Sequence, residues 1–136
     1  MTFDEINIGD TASISKVITS EMIEKFAEIS GDDNPVHLDE EFAKTTVFGE
    51  RVAHGILVTG LISNVLGRKL PGYGSIYVSQ SVQFMRPVKI GDEITATIEI
   101  IEKDERRGTC KCKTTCTNQL GKVVIRGEAV GMPPKA

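Results

Sequence analysis

Apolar and polar residues alternate most strictly over residues 93–103, where Ile94, Ala96, Ile98 and Ile100 take one parity and Thr95, Thr97 and Glu99 the other. A period of two belongs to a strand with one dry face and one wet face. Residues 11–18, 75–85, 109–118 and 122–132 are further strand-like runs. Turn formers separate the last four runs, around Pro87, at Gly91-Asp92, at Arg107-Gly108 and over 118–121, so antiparallel connections are expected. The spacing turns helical after Thr19 or Ser20, either of which offers an N-cap oxygen. Met22, Ile23, Phe26 and Ile29 recur at helical intervals opposite Glu21, Glu24, Lys25 and Glu28, and Gly31 stops the run. Asp39 can cap a short helix over 40–44, and 45–51 reads as an exposed loop carrying Phe48 and Gly49, able to close over a substrate.

Between 53 and 67 His54 is the one titratable side chain, and Ile56, Leu57, Val58, Leu61, Ile62, Val65 and Leu66 surround the helix on nearly every side. This predicts a buried helix of about 15 residues, too short for a bilayer, which needs roughly 20. Gly60 and Gly67 cost helix propensity, and close approach of sheet backbone is the expected reason for them. One greasy helix and one greasy sheet face make an α+β fold, with five antiparallel strands placed around a central apolar helix.

Composition narrows the partners. A chain of 136 residues, 40% hydrophobic and 26% charged, fits one globular domain over 1–136 with a single core. The net charge of -3 and the absence of any basic run argue against nucleic acid and anionic membranes, leaving a soluble substrate. Residues 1–10 carry acids and no apolar signal region, which points to the cytoplasm. Cys110, Cys112 and Cys116 all fall on even positions of the 109–117 run, with Lys111 and Lys113 on the odd ones. They read as small buried strand residues and not as zinc ligands, so no metal and no cofactor is expected.

The chemistry is concentrated in Ser30-Gly31-Asp32-Asp33-Asn34-Pro35-Val36-His37. Gly31 and Pro35 break the preceding helix, and Asn34 before a proline is driven from the α region, so the segment is a fixed turn. Such a turn can aim Asp32 and His37 at one point. A carboxylate and an imidazole converging there can hold a water, remove one of its protons and return a proton to a substrate carbon, the equipment of a hydratase or hydrolase. The same residue types also build any helix-ending turn. Asn34 can orient the turn or the water, or serve only as an Asx-turn residue, and Ser30 is expected to bond backbone at the helix end.

The stretch from Phe26 to His37, with Ala43 six residues further on, resembles the hydratase motif of the MaoC-like dehydratases, the (R)-specific enoyl-CoA hydratases. A D-x-N-P-x-H frame with four fixed residues, each used at roughly 5%, arises by chance in about one such chain in a thousand. A second marker of that family, Val52-Ala53-His54-Gly55, stands where its central helix begins, and the order of elements is similar to a hot-dog fold. The resemblance implies that Asp32 and His37 are the catalytic pair and that the Gly55 backbone N–H meets a thioester carbonyl. Physics supports the last point independently, because a helix N-terminus offers unpaired N–H groups to the negative charge that hydration builds on that oxygen. For His54 a structural role at the helix start stands beside a role in proton transfer.

The expected reaction is addition of water to trans-2-enoyl-CoA, giving (R)-3-hydroxyacyl-CoA, reversible as a dehydration. A hydroxyacyl-ACP dehydratase, a thioester hydrolase and a non-catalytic acyl-thioester-binding subunit are the competing readings. Steps of three and four from Gly55 reach Thr59, then Ile62 or Ser63, then Leu66, a face along which an acyl tail can lie with Leu66 as its stop. Leu66 can equally be core alone. The alternating Ile76, Val78, Val82 and Phe84 predict a sheet edge that pairs with a second copy in a homodimer.

Overall fold

The computed structural model describes residues 1–135. Strands β1 (Thr11–Val17), β2 (Ile76–Gln80), β3 (Gln83–Phe84), β4 (Glu93–Asp104), β5 (Thr109–Thr117) and β6 (Val123–Met132) form one antiparallel sheet. Its order is β1-β4-β5-β6-β2, with β3 also pairing β6. Helices α1 (Ser20–Ser30), α2 (Pro35–Leu38) and α3 (Glu40–Ala43) lead to the central helix α4 (Gly55–Arg68). No described helix is long and apolar enough to cross a membrane.

The alternation in β4 is realised in full: Ile94, Ala96, Ile98 and Ile100 are each 0% exposed. Register carries the dry face across the sheet, with Ile14 opposite Ala96, Ala96 opposite Cys116 and Cys116 opposite Ile125. Two rows on, past Ile98, Thr114 and Gly127, inward-facing Ile100 meets Cys112, and Cys112 meets Ala129. Alanine, cysteine and isoleucine side chains at these sites form one core with Val58, Ile62, Val65 and Leu66 of α4. The three cysteines are therefore buried strand residues with free thiols, as their parity predicts. Each fully buried Ile or Leu here contributes about 1.5–3 kcal/mol of transfer free energy.

Four expectations are corrected. The run over 75–85 is broken at Ser81 and Val82, so the sheet has six strands and not five. Gln80 pairs with Ala129 and Gln83 with Arg126, so the register continues across the gap. The chain there lies directly on Gly127, where a Cβ would overlap the Ser81 carbonyl oxygen. In α1, Ile23 and Ala27 are buried while Ile29 is 85% exposed. Ile29 stands six residues from Ile23, about 120° away around the helix, and leaves the buried stripe. Neither Gly60 nor Gly67 meets a close neighbour, so close sheet approach does not account for them. Nor is α4 enclosed on all sides: Ile56 is 58% exposed and Gly60 and Ser63 face outward with it, beside the exposed Val78 of the edge strand β2.

Candidate active site

Local hydrogen bonds fix the turn after α1. Thr19 caps the helix by accepting from the Met22 N–H, and Gly31 ends it in the left-handed region at φ 79°, donating to the Ala27 carbonyl. The Ser30 hydroxyl donates to the Phe26 carbonyl at 2.7 Å and accepts from the Asp32 N–H at 3.1 Å, the backbone role expected of it. Asp32 Oδ1 then accepts from the Asn34 N–H, and Asn34 Oδ1 from the Val36 N–H, each at 3.2 Å. Asn34 is thus an Asx-turn residue and the N-cap of α2, with Pro35 in the first turn.

That short helix delivers His37. Its Nδ1 lies 2.7 Å from the Val52 carbonyl, which can only accept, so Nδ1 carries the proton and Nε2 of the neutral ring is left with a lone pair. Burial holds the His37 pKa below its ordinary value of 6.5; the neighbouring His54 acts in the same direction, against the Val52 carbonyl and the Asp32 carboxylate, which raise it. The imidazole is therefore a neutral base at neutral pH. Arg51 pins α2 from behind, donating from Nε to the His37 carbonyl at 2.7 Å.

The segment 52–54 ties this turn to α4. Ala53 donates to the Val88 carbonyl at 2.7 Å, Val52 bridges to Lys89, and Gly55 opens α4 with no side chain capping its first turn. His54 is 3% exposed and its ring stacks on His37 at a centroid distance of 3.8 Å. Its Nε2 donates to the backbone carbonyl of Asp32 at 3.0 Å, while Nδ1 is buried without a partner.

Asp32, Asn34, His37, His54 and Gly55 share one open cavity of about 550 Å³. One ligand atom from each of Asp32, His37 and His54 lies within 4.8 Å of the others. A single water hydrogen-bonded at about 2.8 Å on both sides spans that distance between the carboxylate and the His37 imidazole. A metal fits the trio poorly: imidazole lone pairs lie in the ring plane, and two rings stacked at an interplanar angle of 29° cannot both converge on an ion about 2.1 Å away.

The sequence-predicted residues fall in three places. Asp32, His37, Asn34 and Gly55 meet in the cavity. Thr59 and Ser63 lie in a separate shallow groove with Tyr77 and Val78, joined to the cavity through Ile56, which borders both. Leu66 is 2% exposed, inside the core. Phe48 of the 45–51 loop does reach the cavity wall. Sequence reasoning missed the far wall, built by Phe84, Met85, Arg86 and Pro87. The Phe84 ring lies on Gly55 so closely that a Cβ there would overlap it, a contact between residues 29 apart that no local pattern signals.

A sheet wrapped against a central helix, with an acid and an imidazole facing each other at that helix's N-terminus, is a hot-dog fold carrying an acid–base pocket. The model of the MaoC like domain matches residues 7–121, and the chain belongs to that family. It is similar to the (R)-specific enoyl-CoA hydratase of Rhodospirillum rubrum, 48% identical over 132 residues that cover 97% of this chain and 91% of that enzyme. The 3-hydroxybutyryl-CoA dehydratase of Methylorubrum extorquens is 45% identical, covering 98% of this chain and 84% of its own length. Among solved structures, unliganded R-hydratase PhaJ1 of Pseudomonas aeruginosa superposes with a TM-score of 0.94 at 41% identity, covering 99% of this chain and 86% of that one.

Proposed function

We propose that this protein is an (R)-specific enoyl-CoA hydratase, a hydro-lyase that adds water to trans-2-enoyl-CoA and reverses the reaction as a dehydratase. The observation that carries this reading is the facing of the Asp32 carboxylate and the basic His37 imidazole across a water-sized gap, at the uncapped N-terminus of α4. The pair takes one proton from the water as its oxygen bonds to C3. The electron pair of the C2–C3 double bond moves toward the thioester carbonyl, whose oxygen gains negative charge beside the Gly55 N–H. The proton then passes from the pair to C2, so that the product carries both hydrogens of the water. Relatives named for (R)-specific hydration support the stereochemistry.

For the acyl tail we favour the path along α4, where the groove of Thr59 and Ser63 meets the cavity at Ile56, with Leu66, buried about one turn beyond Ser63, as its stop. A second copy covering the exposed Ile76, Val78 and Ile56 would roof that path and continue the sheet through β2 as a homodimer. Three free thiols suit a reducing, cytoplasmic setting, in the metabolism of fatty acyl thioesters.

The test is loss of enoyl absorbance with crotonyl-CoA, followed by chiral analysis of the product. Rapid loss giving the (R)-3-hydroxyacyl-CoA supports the reading. Activity on an acyl-ACP alone would transfer it to the carrier-protein dehydratases, and no turnover of either would make this a binding subunit.

A further inference from the structure

We propose that His54 is a positioning residue, which fixes the carboxylate turn and the catalytic imidazole in one frame with the N-terminus of α4. The inference rests on the reading of Asp32 and His37 as the catalytic pair. His54 occupies the N-cap of α4, where a short side-chain oxygen normally accepts from the first turn, yet its ring makes no cap hydrogen bond. Two other contacts occupy it. The Nε2–H donates to the Asp32 carbonyl at 3.0 Å, and one face stacks on His37 at 3.8 Å, while Phe26 packs against the same ring at 4.7 Å. These contacts join three segments that the chain supplies separately: the turn holding Asp32, the helix α2 carrying His37 and the start of α4 at Gly55.

The same geometry argues against His54 as a proton carrier. Its Nε2 is tied to a backbone carbonyl, and its Nδ1 is sealed from solvent with no hydrogen-bond partner, so neither nitrogen is presented to substrate. What remains is a flat face and one donor, and these can be removed separately. His54→Phe keeps an aromatic face and loses the donor. His54→Gln keeps an N–H donor and loses the face.

The experiment measures kcat and KM for crotonyl-CoA hydration in both variants, together with circular dichroism and thermal unfolding. Positioning predicts folded proteins with KM within about twofold of wild type and kcat lowered roughly 10- to 100-fold, as expected for small misplacements of reacting groups. In a His37→Ala background, adding His54→Phe should cost little further, because the acid–base unit whose carboxylate turn the lost donor holds is already disabled. Folded variants with wild-type kcat would overturn the proposal, as would two variants that both fail to fold, since His54 would then serve the core. Failure of the underlying reading is distinguishable, because His37→Ala alone would then remain active.

Discussion

Substituting Gly55 by alanine separates folding from chemistry at the point where the thioester is expected to bind. An added methyl at 55 overlaps the Phe84 ring. That ring is the free end of a side chain 53% exposed, so it can turn outward at an off-rotamer cost of about 0.5–1.5 kcal/mol. Alanine in place of glycine inside a helix returns up to roughly 0.5–1 kcal/mol. The two terms offset, and stability is expected to change by less than about 1 kcal/mol. Activity is expected to respond differently, because the methyl and the displaced ring both stand where a carbonyl oxygen would approach the Gly55 N–H. Losing one such donor costs about 10²–10³ in kcat, or roughly 2.7–4 kcal/mol of transition-state stabilisation. The assay is kcat/KM on crotonyl-CoA beside thermal unfolding of the same preparation. Adding Phe84→Ala should restore part of the loss, the part due to the displaced ring. A Gly55→Ala protein with unchanged kcat/KM would refute the assignment of the carbonyl to Gly55, and a loss of activity matched by unfolding would refute the stability arithmetic.

Three further outcomes follow from the site and the exposed edge. Because burial depresses the His37 pKa, its neutral base form persists below pH 6.5; kcat/KM should fall only as pH drops through that lowered value, and an acid limb centred at or above 6.5 would contradict it. Leu66→Ala should favour longer enoyl-CoA substrates by roughly 0.8 kcal/mol for each extra buried methylene, whereas a destabilisation of about 2–5 kcal/mol with unchanged length selectivity would make Leu66 core alone. Light scattering should give the mass of a dimer at micromolar concentration, and an active monomer would end the proposal that a second copy covers Ile76 and Val78.

Residue pattern and local chemistry carried different parts of this structure. The parity of Ile94, Ala96, Ile98 and Ile100 and of the three cysteines marks the dry face, because strand period alone decides which way a side chain points. The turn from Ser30 to His37 was legible for a similar reason: glycine, proline and Asx residues act on neighbours two to four positions away. Contacts between distant segments left no such trace. Nothing near Ser81 announces that Gly127 lets the chain lie on β6 and interrupts a strand. An apolar helix signals burial, but not that Ile56, Gly60 and Ser63 are left outward by the sheet of their own chain. His54 was visible as a residue at a helix start; its stacking on His37 appears only when residues 17 apart are folded together.

The central claim is that Asp32 and His37 act as one unit on a single water. Turnover of crotonyl-CoA at saturation should be measured for Asp32→Asn, His37→Ala and the double variant, with circular dichroism to establish folding. Each single change is expected to lower kcat by several orders of magnitude and the double change by little more, because either loss already disables the unit. Single variants that keep more than about a tenth of wild-type turnover, or losses that simply multiply in the double variant, would contradict the claim.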